Sequence, residues 1–349
     1  MNFVLETGIR SPERCSCIRL KRDGMTGYIL RRIGIAFVTL FFSTILIFAI
    51  IKLPPGDFVS YAISQSGGEG GLSSIADRMR QFYGLDKPAI EQYSRWIGGL
   101  VRGDLGYSFL YRQPVLKIVW NQMGWTVLIT GLSMIFSWSI GSAIGIFSAL
   151  KKYSFWDYLF TAFGFLGLSI PSFFLALIII YMCISAGSVV TGGLFSPEYA
   201  VAPWSWARFL DLLKHIWIPI VAIGTAQMAQ VIRIMRGNLL DVMNQPFIKT
   251  ARAKGLSERK VIFKHAVRIA MNPLISLAGL SAPALVSGIV VTAVVLNLPV
   301  IGPTFIVALK SQDMYLAGGY LLLMVVLLLI GNILADILLA WSDPRIRFD

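Results

Sequence analysis

The stretch Lys249-Thr-Ala-Arg-Ala-Lys-Gly255-Leu-Ser-Glu-Arg-Lys260-Val-Ile-Phe-Lys-His265-Ala-Val-Arg268 is a basic, helix-turn-helix-like insert between two strongly apolar segments. A polar helix pair has no hydrophobic reason to sit between membrane spans, so this one reads as a surface on which another protein pushes. Pro246 suits the first turn of a helix running through Lys254, and Gly255 supplies a left-handed stop. Ser257 is placed to cap a second helix, with Glu258 near its positive end. A rigid lever joined to two spans moves them when its tip is displaced, whereas a floppy loop absorbs the motion. The competing reading is an amphipathic hairpin lying on anionic headgroups through Lys249, Arg252, Lys254, Arg259, Lys260, Lys264 and Arg268. The apolar residues Phe247, Ile248, Val261, Ile262 and Phe263 favour the first reading, because they form a small patch suited to a protein groove rather than a broad lipid-facing stripe.

Around this insert the composition sets the class. Hydrophobic residues make up 56% of the 349-residue chain and charged ones 14%, and apolar runs exceed the ~18 residues that cross a hydrocarbon core. The fold class is an all-α polytopic membrane protein. Six transmembrane helices are expected: Ile33 to Ile51, Trp125 to Leu150, Tyr158 to Ser185, Ile216 to Ile234, Pro273 to Leu298 and Tyr315 to Trp341. The net charge of +13 could suit a nucleic-acid binder, but the Lys and Arg residues flank the spans, which fits cytoplasmic retention and contact with anionic membrane lipid instead. Nucleic acid is discarded as a partner. Arg10, Arg14, Arg19, Lys21, Arg22, Arg31 and Arg32 hold the N-terminus inside, and Lys151, Lys152, the basic insert, Arg345 and Arg347 fall on the same side. Both termini are therefore expected in the cytoplasm. The expected organisation is a basic tail over 1–32, a first span over 33–51, an extracytoplasmic insert over 52–123, a five-helix core over 124–341 that contains the loop 235–271, and a tail over 342–349.

No small-residue cleavage site follows the first span, only Ile-Ile-Lys52-Leu-Pro-Pro-Gly-Asp57, so it reads as a retained anchor. Met25-Thr-Gly-Tyr-Ile-Leu-Arg-Arg32 would make a complete basic start by itself, which would leave residues 1–24 dispensable. Cys15, Cys17 and Cys183 make no disulfide framework, have no further ligands for a metal site, and receive no role. In the insert, Gly67, Gly68, Gly70 and Gly71 form a flexible approach, and Ser74-Ile-Ala-Asp77 resembles a capping box opening a helix with Ile75, Met79 and Phe82 on one face. Gly84 and Pro88 end it. A second helix starts near Pro88 with Ile90, Tyr93, Ile97 and Leu100 on one face and stops at Gly103. The cover for these faces is either the tops of the spans or a soluble partner.

Thr250-Ala-Arg-Ala-Lys-Gly-Leu-Ser-Glu-Arg-Lys260 resembles the cytoplasmic loop of permease subunits in the dipeptide/oligopeptide family of ABC importers. Tyr28-Ile-Leu-Arg-Arg32, Pro54-Pro-Gly-Asp57, Gly103-Asp-Leu-Gly-Tyr-Ser108 with Arg112-Gln-Pro114, Ser169-Ile-Pro-Ser-Phe-Phe174 and Asp343-Pro-Arg-Ile-Arg347 agree in order, so the resemblance runs from Met25 to the C-terminus. It implies a non-enzymatic transport subunit of the bacterial inner membrane, paired with a second homologous permease subunit around a shared path. It also implies two cytosolic ATPase subunits, which hold the ATP and Mg, and an extracytoplasmic substrate-binding protein that delivers cargo. The ATPase contact maps to Thr250, Ala251, Ala253, Gly255, Leu256 and Ser257. Two places depart from the family pattern. The acidic residue that opens the general importer loop is replaced by Lys249, and an acidic residue followed by a Trp-Pro-Gly turn is replaced by Ala293 and Leu298-Pro-Val300. Peptide is the expected cargo, with oligosaccharide, opine and nickel as alternatives within the same class.

The residues themselves support this division of labour. The sequence holds no Gly-x-x-x-x-Gly-Lys-Ser/Thr loop to cradle nucleotide phosphates, no His-Glu-x-x-His pair and no Ser-His-Asp set, and His215 and His265 fall on opposite sides of the membrane. No catalytic, cofactor or metal site is assigned. Polar residues within spans are costly in lipid and should face protein or water, which singles out Gln227, Gln230, Asn297, Asn332 and Asp336. Gln227, Gln230 and Asn297 are the candidates for the translocation path. Gln227 and Gln230 share a helical face, a spacing equally suited to interhelical hydrogen bonding. Asp336 calls for a basic partner from the loop or tail, Pro171 and Pro219 could permit bends, and Gly141 with Gly145 suits close helix packing. An autonomous secondary transporter or channel would need ionisable residues deep in the bundle or inverted repeats, and neither is clear.

Overall fold

Backbone polar groups in a hydrocarbon core must be satisfied within the segment, and apolar runs of this length do so as helices. The computed structural model describes residues 25–65, 73–187 and 192–342. Cys15, Cys17, the Gly67 to Gly71 approach and the Asp343 to Arg347 motif lie outside the described residues. Helix α1 (Met25–Lys52) leads into α2 (Phe58–Gln65), α3 (Ser73–Tyr83), α4 (Ala89–Val101) and an antiparallel hairpin, β1 (Tyr107–Ser108) with β2 (Gln113–Pro114). The core follows as α5 (Val115–Leu150), α6 (Phe155–Ser169), α7 (Ser172–Ser185) and α8 (Trp206–Met243). The basic stretch forms α9 (Pro246–Ala253), α10 (Glu258–Lys260), a π-helical segment Val261–Ala266 and α11 (Val267–Ala270). The chain closes with α12 (Asn272–Val295), α13 (Ile301–Lys310) and α14 (Met314–Ser342).

Among the described residues four helices are long and apolar enough to cross a membrane, α1, α5, α8 and α14, and the α6–α7 pair makes a fifth span if counted as one. Helix α12 corresponds to the expected fifth span, and its side chains from 278 to 288 lie outside the described residues. The expected third span, Tyr158 to Ser185, is not straight: α6 and α7 meet at 104°. Pro171 lacks the N–H that would continue the ladder, and it drives the preceding Ile170 into an extended conformation (φ −90°, ψ 118°). Pro219, in contrast, sits inside an unbroken α8.

Two helices overrun their expected limits. Helix α5 has 36 residues and α8 has 38, and at ~1.5 Å per residue each is far longer than a ~30 Å hydrocarbon core. Their ends therefore project from the apolar layer. Helix α5 begins at Val115, within the expected insert over 52–123, and α8 ends at Met243, within the expected loop over 235–271.

The packing spine is α5 against α8, running in the same direction. A Cβ on Gly141 would lie 3.0 Å from the Met228 carbonyl oxygen, and one on Gly145 would lie 2.8 Å from Met235 Cβ, so both positions need glycine for the helices to touch. Ser137 Oγ sits across the same seam, 2.7 Å from the Gly224 carbonyl. The direction of α5 and α8 puts the insert at one end of the bundle and the basic loop at the other.

The face of α4 is covered by the spans. Trp96, 2% exposed, packs with Ile47 and Phe48 of α1 and Met314 at the start of α14, and Tyr93, Ile97 and Leu100 pack beside it. The expected faces hold only in part. Ile75, Phe82 and Ile90 are exposed, whereas Ala76 and Gln92 are buried, because α3 and α4 turn these smaller positions inward.

Candidate coupling loop and path residues

The basic loop is anchored at its base and bare at its tip. Only Asn244 and Gln245 separate α8 from α9, so the helix that runs through the bundle continues almost directly into the loop. Ile248 of α9 and Val261 of the π-helical segment are both 0% exposed and pack on Met235 and Leu239 of α8 and Ala149 of α5. Asn238 Nδ2 donates to the Ala270 carbonyl at 3.3 Å, tying the return arm to the same helix. This corrects the expected apolar patch. Ile248 and Val261 belong to the loop's own core, and only Phe247 and Phe263 remain exposed.

At the tip, Gly255 has φ +73°, and a Cβ added there would meet nothing within 4 Å. The left-handed turn, not crowding, is what requires glycine. Ser257 precedes α10 without a side-chain capping bond; its carbonyl accepts from Lys260 N at 2.9 Å and Val261 N at 3.0 Å instead. Across the turn Arg252 grips Glu258 with two hydrogen bonds, Nε at 3.1 Å and Nη2 at 2.6 Å. These bonds hold the Glu258 carboxyl below the usual carboxylate range and raise the pKa of Arg252. Of the residues mapped to the ATPase contact, Thr250, Ala253, Gly255 and Ser257 are exposed, while Ala251 and Leu256 are half-buried against the loop's core.

A second anchor lies beside the loop and was not anticipated. Arg236 of α8 makes a bidentate pair with Asp157 of α6, Nε to Oδ1 at 2.7 Å and Nη2 to Oδ2 at 2.8 Å, and Asp157 is 1% exposed. Tyr153 N also donates to Asp157 at 2.9 Å. The clamp joins α6 to the loop end of α8. The signal was available as an acidic residue at the edge of an apolar run, which calls for a cation in the fold.

The expected path residues do not form one group. Gln227 is half-buried, its Oε1 buried and without a partner among the described residues, and Gln230, one turn on, is exposed along the same helix. Asn297 lies beyond α12, in a turn at the insert end with φ +49°, so it is a left-handed turn residue rather than part of a span. Asn332 is half-buried in α14, and the Asp336 side chain lies outside the described residues. Ala293, Leu298 and Val300 are all buried in the apolar cluster between α7, α8 and α12.

At the other end, two of the quoted motifs prove to be structural. Asp57, closing Pro54-Pro-Gly-Asp57, accepts from Arg80 Nε, Ser60 N and Ser60 Oγ, each at 2.8 Å, which fastens α3 to the start of α2. Burial opposes ionisation of Asp57, but these hydrogen bonds outweigh it and hold the pKa below the ordinary value. Ser108, closing Gly103 to Ser108, donates at 2.6 Å to Asp313, which also accepts from Leu110 N at 3.1 Å and Leu316 N at 3.2 Å. Asp313 is fully buried, and its desolvation raises its pKa despite these bonds. The hairpin is thereby fixed to the base of α14.

Residues 141–348 match the family described as binding-protein-dependent transport system inner membrane component, and residues 25–130 match the description of its N-terminal part. The chain is 34% identical over 328 residues to the oligopeptide transport system permease protein AppB of Bacillus subtilis, covering 93% of this chain and 100% of that one. It is 31% identical over 336 residues to the di/tripeptide transport system permease protein DppB of Pseudomonas aeruginosa, and 32% identical over 343 residues to the dipeptide transport system permease protein DppB of Escherichia coli. In both cases 93% of this chain and 99% of the relative are covered. With its anchored basic loop at one end and a motif-built insert at the other, the chain belongs to the inner-membrane component family of binding-protein-dependent transport systems.

Proposed function

We propose that this chain is a permease subunit of an ATP-driven, binding-protein-dependent importer, forming half of a translocation path for peptides and taking force from a cytosolic ATPase through the loop within 235–271. The observation that carries the reading is similarity along nearly the whole chain to relatives named as peptide permeases, together with a loop whose base is buried and whose tip is bare. In this reading the chain crosses the bacterial inner membrane six times, with the bent α6–α7 pair as the third crossing and α12 as the fifth. Both termini and the loop are cytoplasmic, and the insert is extracytoplasmic. The partners are a second permease subunit, two ATPases that bind ATP and Mg, and an extracytoplasmic binding protein.

The lever works because its parts are stiff. A push on Thr250, Ala253, Gly255 and Ser257 reaches α8 through Ile248 and Val261, and the Asp157–Arg236 clamp carries α6 with it. The departures at Ala293, Leu298 and Val300 lie in the core, out of reach of cargo, so they give no reason to set peptide aside. Gln227 and Gln230 remain the path candidates of this chain. Reconstitution with the partner permease, the ATPases and the binding protein tests the reading: labelled peptide should enter vesicles only with ATP and binding protein both present. Peptide-independent uptake of a sugar or nickel under those conditions would replace the cargo and keep the permease.

A further inference from the structure

The insert holds an open cavity of about 680 Å³ that the coupling account leaves unused. Its walls are aromatic, from Tyr83, Phe109 and Tyr315, whose rings pack in sequence at 4.5 and 5.4 Å between centroids. Arg95 and Arg112 supply its cationic groups. Arg95 is paired with Glu91, but Arg112 has no ion pair among the described residues. Asp104 also lines the cavity, and its Oδ1 already accepts from Gly106 N at 2.8 Å. Trp96 completes the wall: it is 2% exposed, and its indole nitrogen is buried with no hydrogen-bond partner among the described residues. The charged lining is thus two arginines to one aspartate.

The hairpin that carries Arg112 is held in place with unusual firmness. Ser108 is bonded to the buried Asp313, Tyr107 Oη donates to the Arg112 carbonyl, and Gly106 lies so close to the Tyr315 ring that a Cβ would sit 2.3 Å from it. Arg112 itself has φ +50°, a left-handed conformation that glycine adopts freely and arginine does not. Backbone strain kept at a rigid hairpin to display one unpaired cation is a mark of a binding position. Around the mouth, Phe82 and Tyr107 are exposed. An apolar and aromatic rim about an exposed, unpaired Arg112, backed by a buried Trp96, has the composition of a protein interface rather than of a small-ligand pocket.

We propose that this cavity receives an acidic side chain from an apolar loop of the extracytoplasmic binding protein, with Arg112 as its principal charge partner. This rests on the importer reading above. The test uses the complete complex in phosphatidylcholine nanodiscs, titrated with binding protein while ATP hydrolysis is followed. Arg112→Gly removes the guanidinium and suits the left-handed backbone, so the variant should keep the wild-type thermal midpoint. It should nevertheless need about tenfold more binding protein for half-maximal stimulation, the loss of one charge-assisted hydrogen bond. The salt dependence of that midpoint should also flatten. Arg112→Lys, which keeps charge but not the planar fork, should fall between the two. An unchanged midpoint in Arg112→Gly overturns the proposal. So does a shift seen only when anionic lipid is added, which would assign the cavity to headgroups. If hydrolysis by the unaltered complex ignores the binding protein altogether, the importer reading fails and this proposal with it.

Discussion

Replacing Gly255 separates the shape of the lever's turn from the surface around it. Its φ of +73° costs an L-residue about 1–2 kcal/mol, and a β-branched one more, while open space around the missing Cβ removes any steric contribution. Against this, Ile248 and Val261 are each fully buried, and such burial contributes about 1.5–3 kcal/mol per side chain. The anchors outweigh the turn, so Gly255→Val should leave the loop seated on α8 but disfavour the native turn by roughly five- to thirtyfold. The assay is peptide transported per ATP hydrolysed in proteoliposomes. Valine should lower that ratio at least severalfold while the complex still assembles, alanine should be intermediate, and asparagine, which tolerates the left-handed region, should stay near wild type. Asparagine as damaging as valine would refute the reasoning, because the defect would then come from lost surface contact rather than from conformation. Unchanged coupling in valine would refute the lever itself.

Asp157→Asn leaves Arg236 without a carboxylate and, after allowance for the 27% exposure of Arg236, should cost about 2 kcal/mol by thermal unfolding; adding Arg236→Gln should recover part of it. Gly145→Val drives a Cβ into Met235 and should destabilise the chain by about 1–3 kcal/mol, while Gly131→Ala, with nothing within 4 Å, should be neutral or slightly stabilising in the same measurement. Ser108→Ala removes one bond to the buried Asp313 and should cost about 1–3 kcal/mol, read as faster proteolysis of the 107–114 hairpin. Because the Glu258 pKa is depressed in the folded state, the Arg252 pair is intact above the ordinary carboxylate range and is lost only as pH falls through the depressed value. Coupling should therefore be flat between about pH 6 and 8, and a midpoint inside that window would point to another group.

The loop was legible because its punctuation is local. Pro246 at the first turn and Gly255 at the stop are choices that the backbone dictates, and both stand where the residues placed them. Pro88 at the start of α4 and the Gly141–Gly145 pair are read in the same way. The projecting ends of α5 and α8 were not legible, because turns that leave the hydrocarbon lose the apolar signal while keeping the helix. Neither was the contrast between Pro171 and Pro219, which share an apolar setting and differ in whether the helix continues. Asp157 and Arg236 are 79 positions apart, so their pairing is a product of how α6 crosses α8. Assigning Met235 and Leu239 to the loop concealed the surface on which Ile248 and Val261 are buried, and the loop's core was consequently taken for an exposed patch.

The most direct test is uptake of a labelled peptide into proteoliposomes holding this chain, its partner permease and the two ATPases. The account predicts accumulation that requires ATP and binding protein together and that falls with Gly255→Val while hydrolysis continues. Accumulation driven by an ion gradient without ATP, and indifferent to Gly255, would contradict it.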